Sequence, residues 1–418
     1  MQKTPQASRI HIAIFGRRNA GKSSLINALT DQDLAVTSQV PGTTTDPVYK
    51  NMELHPLGPV VMIDTAGIDD SGDLGEMKVK KTREVMRRTD LAVLVVDPKQ
   101  GIDSYEKGLL KELVNRDIPV VGAVNKIDLF TEEEKLELSG LDDLQEAVDI
   151  TFLEVSAERE INIEELKKEI IFAAPEEFEE PQIIGDLINP HDTILLVAPI
   201  DMAAPKGRLI LPQVQTIRDI LDNNALAVTA KENQLQTVLQ NLRNPPELVV
   251  TDSRVFGEVV EKVPVNIPLT GFSILFARYK GDLKVYTKGI KAIEKLKAGD
   301  KVLISEACTH HRTSEDIGTV KIPGWLNQMV GEEIKFEHVA GREFPESLDD
   351  YNLIVQCGGC MANNREILYR IKVAENLGIP ITNYGILIAR VQGILKRALE
   401  PFPKASQILK DDPYEDIL

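Results

Sequence analysis

Arg9-Ile-His-Ile-Ala-Ile-Phe-Gly16-Arg-Arg-Asn19-Ala20-Gly21-Lys22-Ser23-Ser24-Leu-Ile-Asn-Ala-Leu29 is the stretch that decides the fold. The apolar run from Arg9 to Phe15 predicts a buried strand that runs directly into GxxxxGK[ST], and Ser23 to Leu29 continues as a helix. Glycines let backbone amides curl around phosphate groups, and the following helix offers its positive N-terminus. Lys22 is then expected to reach the β- and γ-phosphates, and the Ser23 hydroxyl to ligate Mg²⁺.

Further loops follow in the order such a module requires. Pro41-Gly-Thr-Thr-Thr-Asp46 suits a loop whose Thr44 completes the Mg²⁺ shell. Val60-Val-Met-Ile-Asp64-Thr-Ala-Gly67 reads as a strand ending in an aspartate that holds Mg²⁺ through water and a glycine amide that senses the γ-phosphate. Pro119 to Val124 is a strand ending in Asn125-Lys126-Ile-Asp128. Asp128 can accept from the N1–H and 2-amino group of guanine; adenine lacks both donors, so this element specifies GTP. Phe152-Leu-Glu-Val-Ser156-Ala157 supplies a backbone amide for the guanine carbonyl. The set resembles the translation-factor-like GTPases, especially the branch with Era and the tRNA-modification GTPase MnmE, over residues 9 to about 174. Two positions bear on mechanism. Ile68 stands where a water-orienting glutamine is found in Ras-type GTPases. Asn19 matches the asparagine that helps bind an activating K⁺ in the MnmE-like branch, a charge that can replace an arginine finger.

Composition fits a soluble globular chain of several domains: 418 residues, 43% hydrophobic and 27% charged. The N-terminus has no signal-peptide h-region and no run suits a membrane span, so the expected location is cytoplasmic. A net charge of −17 argues against broad nucleic-acid binding. The basic stretch Lys78-Val-Lys80-Lys81-Thr-Arg83 reads as a solvated helix face. The fold expectation is α/β throughout: a P-loop GTPase domain at 1–175, an acidic proline-bounded linker at 176–190, then two smaller parallel-sheet domains. The first of these, 191–265, carries no catalytic constellation and suits docking or dimerisation. The second, 266–418, holds all three cysteines.

Cys308 and Cys357 each follow an apolar strand, and Cys360 precedes a helix from Asn363 to Leu377. Open α/β folds place ligands at such carboxyl ends, and a helix N-terminus favours the thiolate. In Cys357-Gly-Gly-Cys360 the glycines permit a turn that brings two thiols to one metal. His310, His311, a carboxylate or an exogenous group could complete the set; a Cys₃His zinc site and a metal-free redox CxxC are the other readings.

With the GTPase loops, this pattern resembles the HydF family, GTPases of [FeFe]-hydrogenase maturation, across the whole chain. The family pattern CxH, roughly 50 residues, then HCxxC is met by Cys308, His310, Cys357 and Cys360; Gln356 replaces the histidine before the first cysteine of CxxC. The resemblance implies a [4Fe-4S] cluster on Cys308, Cys357 and Cys360, with His310 a possible fourth ligand and an exchangeable iron position. It also implies a diiron precursor as cargo, the radical-SAM maturases HydE and HydG and the apo-hydrogenase as partners, a homodimer, and GTP as a switch for docking or release.

Overall fold

The computed structural model describes residues 5–30, 47–65, 73–130, 150–175, 182–199, 209–307, 316–341, 343–345 and 347–410. The chain divides into two compact units, Met1–Phe178 and Glu179–Leu418.

In the first unit, β1 (Ile10–Gly16), β2 (Val48–Leu54), β3 (Gly58–Asp64), β4 (Leu91–Val96), β5 (Val120–Val124) and β6 (Phe152–Glu154) form one sheet. Its order is β2-β3-β1-β4-β5-β6, parallel except for the edge strand β2. β4, Leu-Ala-Val-Leu-Val-Val, is buried at every position, as a central strand covered on both faces must be. Strand alternation sorts the core. Ile12 and Ile14 of β1 pack with Leu25 and Ile26 of α1 (Lys22–Thr30) and Leu166 of α4 (Ile163–Ala173). Ala13 and Phe15 face the opposite layer, with Val85 and Met86 of α2 (Asp73–Met86) and Leu109 and Leu113 of α3 (Ser104–Asn115). The carboxyl ends of β1, β3, β5 and β6 therefore line one edge of the sheet, where this architecture binds ligands.

The second unit holds two four-stranded, all-parallel sheets. One contains β7 (Thr193–Val197), β8 (Leu226–Ala230), β9 (Leu248–Thr251) and β10 (Leu269–Gly271), in the order β10-β9-β7-β8. The other contains β11 (Lys301–Ser305), β12 (Lys335–Val339), β13 (Leu353–Gln356) and β14 (Ile381–Asn383), in the order β12-β11-β13-β14. Read from opposite edges these are one topology: first strand inside, second beside it, third on its other flank, fourth beyond the third. The helices are α5 (Leu211–Asp222), α6 (Leu235–Asn241), α7 (Phe256–Lys262), α8 (Phe272–Lys280) and α9 (Leu283–Gly289) in and after the first sheet. Those of the second are α10 (Ile322–Val330), α11 (Asn364–Asn376), α12 (Tyr384–Val391), α13 (Leu395–Leu399) and α14 (Pro403–Lys410).

The two halves are a duplication. Ile267-Pro-Leu-Thr-Gly-Phe-Ser-Ile-Leu-Phe-Ala-Arg-Tyr-Lys-Gly281 aligns with Ile379-Pro-Ile-Thr-Asn-Tyr-Gly-Ile-Leu-Ile-Ala-Arg-Val-Gln-Gly393, sharing Ile-Pro, Thr, Ile-Leu, Ala-Arg and the closing Gly. Equivalent residues make equivalent bonds across the boundary. Thr270 Oγ1 donates to Ala398 O (2.9 Å), and Thr382 Oγ1 to Tyr286 O (3.0 Å). Arg278 pairs with Asp186 ahead of β7, and Arg390 with Glu294 ahead of β11. α8 and α12 pack directly together, so a Cβ on Gly385 would lie 2.4 Å from Oγ of Ser273, its own counterpart. α9 leaves the first repeat to cover β14, and α13 leaves the second to cover β10. One continuous hydrophobic core therefore runs from Ile183 to Leu409. The sequence ended the middle domain at 265; β10 lies beyond that point and hydrogen-bonds to β9, while Ile274 to Tyr279 are helical.

Candidate functional site

Each unit carries one constellation. In the first, the backbone after β1 turns at Gly16, where a Cβ would meet Val95 O at 2.3 Å, so only glycine fits against β4. Gly21 (φ +92) is held as closely, a Cβ there falling 2.2 Å from Asn125 Nδ2. Asn19 takes φ 62, a conformation asparagine tolerates better than most residues. Ala20 is buried and Ser24 lies exposed in the first turn of α1. Lys22 is buried, its ammonium donating to Gly16 O (2.9 Å) and Arg17 O (2.5 Å). Ser23 Oγ donates to Asp64 Oδ2 at 2.5 Å, so the two residues read from sequence as Mg²⁺ holders meet across two elements.

The base-side loops lock onto the same turn. Asn125 is buried; its Nδ2 donates to Ala20 O (3.0 Å) and its Oδ1 accepts from Ala157 N (3.0 Å). Lys126 adopts φ 69, with its ammonium on Asp97 Oδ2 (2.7 Å) and on the Asn19 carbonyl. Asp128 accepts from the buried Ser156 hydroxyl at 2.6 Å. Thr44, Gly67 and Ile68 lie outside the described residues.

Sequence reasoning missed one set of contacts. Arg17, second in the phosphate-loop motif, pairs with Asp103 and, through Nε, with Glu106 Oε1 (2.7 Å). Those two carboxylates form the capping box that starts α3. The Arg17 guanidinium, with help from the Tyr105 amide, holds the Asp103 carboxyl down to about 2. The only local signal was Asp103-x-x-Glu106 itself, which marks a helix start and not its partner.

In the second unit, Cys357 begins the turn after β13 and Cys360 ends it. Both are partly buried and neither is in a disulfide. Gly359 takes φ 63, the left-handed geometry the turn needs. Cys357 Sγ accepts from Ala307 N (3.1 Å) and Gly359 N (3.4 Å). Gln356 is fully buried, with Oε1 accepting from Ser305 Oγ (3.0 Å) and Nε2 3.7 Å from Cys357 Sγ; it points into the sheet end and not away from it. Asn363 caps α11 through Glu366 N.

The helix N-terminus behind Cys360 was expected to favour its thiolate. Withdrawal from water wins instead: it pushes the Cys360 thiol up to about 11, with the neighbouring Cys357 adding to the rise, and it raises Cys357 too. Both thiols are therefore held in the neutral form. Around them lie buried charged groups that the sequence did not single out. Arg370 is wholly enclosed, binding Glu366 Oε1 (2.9 Å), Ser305 Oγ (2.9 Å) and Gly341 O (2.9 Å). Glu306 accepts from Tyr384 Oη at 3.1 Å. Cys308, His310 and His311 lie outside the described residues, and among the described residues no three His, Cys, Asp or Glu side chains converge. The donor set that is described suits a thiophilic metal: two soft sulfurs on one turn, one already receiving N–H bonds as a thiolate ligand does.

Comparison with known families matches residues 183–281 to the hydrogen maturase F dimerization domain and 284–401 to the hydrogen maturase F tetramerization domain. Together these span more than half of the sequence. The chain belongs to the hydrogen maturase F family. Residues 11–126 match the 50S ribosome-binding GTPase model, which gives this family member its GTPase domain, with GTP and Mg²⁺ as what that domain binds. The tRNA modification GTPase MnmE of Nitrosomonas europaea is 35% identical over 129 residues, covering 31% of this chain and 28% of that protein. GTPase Der of Nautilia profundicola is 37% identical over 169 residues, covering 39% and 36%. The chain thus spans about a third or less of the curated relatives it matches. Among solved structures, Aquifex aeolicus Era bound to GDP and aluminium fluoride is 19% identical, covering 60% of this chain and 97% of that one, with a TM-score of 0.36. The maturase domains also make this an oligomer-forming chain, and no helix among the described residues is long and apolar enough to cross a membrane.

Proposed function

We propose that the chain uses GTP hydrolysis to time the carriage of an iron–sulfur assembly to [FeFe]-hydrogenase. In the hydrolysis, water adds at the γ-phosphorus, the bond to the bridging oxygen breaks, and GDP and phosphate leave. Lys22, now resting on two loop carbonyls, turns to the β- and γ-phosphates. Ser23 and Asp64 exchange their mutual hydrogen bond for Mg²⁺, with Thr44 completing the shell and the Gly67 amide reading the γ-phosphate. Gly16, Asn19, Ala20, Gly21 and Ser24 line the phosphates. Asp128 reads guanine, Asn125 and Lys126 brace that loop against the phosphate loop, and Ser156 and Ala157 close the base pocket. Asn19 helps hold K⁺ beside the phosphates, supplying the kind of positive charge that an arginine finger gives elsewhere.

Cys308, Cys357 and Cys360 hold a [4Fe-4S] cluster, with His310 or an exogenous group at the fourth iron. When bound, the cluster supplies an iron whose outer position can anchor a diiron precursor. This chain's part is to enclose the sulfurs, donate N–H bonds to them, and keep the turn rigid through Gln356 and Arg370. The precursor comes through HydE and HydG and passes to the apo-hydrogenase, in the cytoplasm, without nucleic acid or membrane. The loops around Thr44 and Gly67 bias docking and release.

The observation that carries this reading is the pairing, in one hydrogen maturase F chain, of a Ser23–Asp64 contact on a phosphate loop with an N–H-bonded thiol turn. Anaerobic reconstitution with iron and sulfide should give about four irons per chain. Cys357→Ser should lose them while GTP turnover, faster in K⁺ than in Na⁺, is unchanged. Zinc alone at about one per chain would instead mark a structural site, the arrangement expected of a ribosome- or tRNA-directed GTPase.

A further inference from the structure

The duplication provides an internal control for the thiol turn. Asp252 N donates to Val197 O at the end of β7, and Cys357 N donates to Ser305 O at the end of β11. The turn Asp252-Ser253-Arg254-Val255 therefore occupies, in the first repeat, the place that Cys357-Gly358-Gly359-Cys360 holds in the second. Lys280 and Gln392 are likewise counterparts, each just before the glycine that closes the aligned segment. Gln392 Nε2 lies 3.5 Å from Ser253 O, so this position reaches across the boundary to the other repeat's turn. Where the turn has no thiols the position is a neutral amide; where it has two, it is a lysine.

The placement of Lys280 agrees. Lys280 is only 2% exposed, at the C-terminal end of α8, where a helix favours a cation. Its neighbour Tyr279 accepts, through O, from Asn364 Nδ2 (3.2 Å), which ties this end of α8 to the first residue of α11 just beyond Cys360. A buried ammonium is stable where anionic groups face it.

We propose that Lys280, delivered by the first repeat, is the counter-charge for the anionic group held by the Cys357–Cys360 turn. The inference rests on the cluster reading above. A cluster on three thiolates carries net negative charge and gains one more on reduction, so Lys280 stabilises the reduced form and raises the potential.

The test uses the full chain, reconstituted anaerobically and titrated with dithionite, which donates one electron per cluster, with EPR following the reduced form. Lys280→Gln, which imports the counterpart residue, should bind iron yet lower the reduced-to-oxidised ratio at a set potential about tenfold. Lys280→Met, keeping the apolar stem, should do the same, and Lys280→Arg should restore the wild-type ratio. Gln392→Lys, at the thiol-free turn, should leave it unchanged. A wild-type ratio in folded Lys280→Gln or Lys280→Met overturns the inference alone. So does an Arg variant as shifted as the neutral ones, or unfolding of both neutral variants while the Arg variant folds, which would make the charge a support of the fold. A wild-type chain that takes up no iron overturns the cluster reading and this inference with it.

Discussion

The thiol of Cys360 illustrates how two rules compete at one residue. A helix start lowers a thiol's pKa by a fraction of a charge at its mouth, whereas enclosure beside a second thiol removes the water that would solvate a thiolate. With the balance at about 11, nearly all of Cys360 is protonated at neutral pH. Because only the thiolate attacks, alkylation of the metal-free protein by iodoacetamide should be slow at pH 7 and rise about tenfold per pH unit toward pH 10. Peptide mapping of Cys360 across that range checks it; a rate already at plateau by pH 8 would mean the helix end dominates. The sign follows from the raised pKa. Single residues of the phosphate loop were legible because Gly16, Gly21, Lys22 and Ser23 act at fixed local spacing. Arg17 was not, because its carboxylates Asp103 and Glu106 arrive from a distant helix.

Among the elements, most of the parallel strands announced themselves as apolar runs, and β11 and β13 were read with their cysteines at the carboxyl ends. β4, β12 and β14 were not read, and β10 was missed as well: three residues between Pro268 and a helix carry too little pattern to separate a strand from a loop. The duplication was written in the sequence as the paired Ile-Pro…Ala-Arg…Gly segments, yet the first strands of the two repeats differ enough to hide it, Thr-Ile-Leu-Leu-Val against Lys-Val-Leu-Ile-Ser. Its energetic signature is the twin threonine bond. Thr270 and Thr382 are both fully buried and their bonds are nearly equal in length. Thr270→Val and Thr382→Val should each cost about 1–2 kcal/mol. The two losses should agree to within about 0.5 kcal/mol, since equivalent geometry is broken in each. Urea unfolding of the second unit followed by circular dichroism measures both. A cost confined to one of them would show that the repeats share a shape but not a load.

At the scale of the molecule, the sequence divided the region after the linker into a docking domain and a cluster domain, and the family matches also divide it, at 281–284. The packing does not respect that line. α8 and α9 lie before or across it, yet α8 packs on α11 and α12, and α9 packs on β14. α13, from the far end of the chain, covers β10, and Arg397 donates to Val263 O (2.9 Å) and Pro264 O (2.7 Å) in the first repeat. Hydrophobic pattern can reveal how many sheets a segment builds, but not that each repeat hands a late helix to the other. Exchange of this kind makes the halves mutually dependent. Residues 179–418 should therefore unfold in urea as one cooperative transition, with fluorescence of Trp325 in α10 and backbone circular dichroism giving coincident midpoints. The fragment 284–418, which keeps all three cysteines but lacks α8 with its buried Phe276 and Lys280, should lose that transition and be cut rapidly by protease. Its α11–α12 face, where α8 packs, would be stripped of apolar cover, at a cost of several kcal/mol by the usual scale of about 25 cal/mol per Å². A stable, protease-resistant 284–418 would show instead that the cluster half folds alone, and that the reciprocal helices merely dock two finished domains.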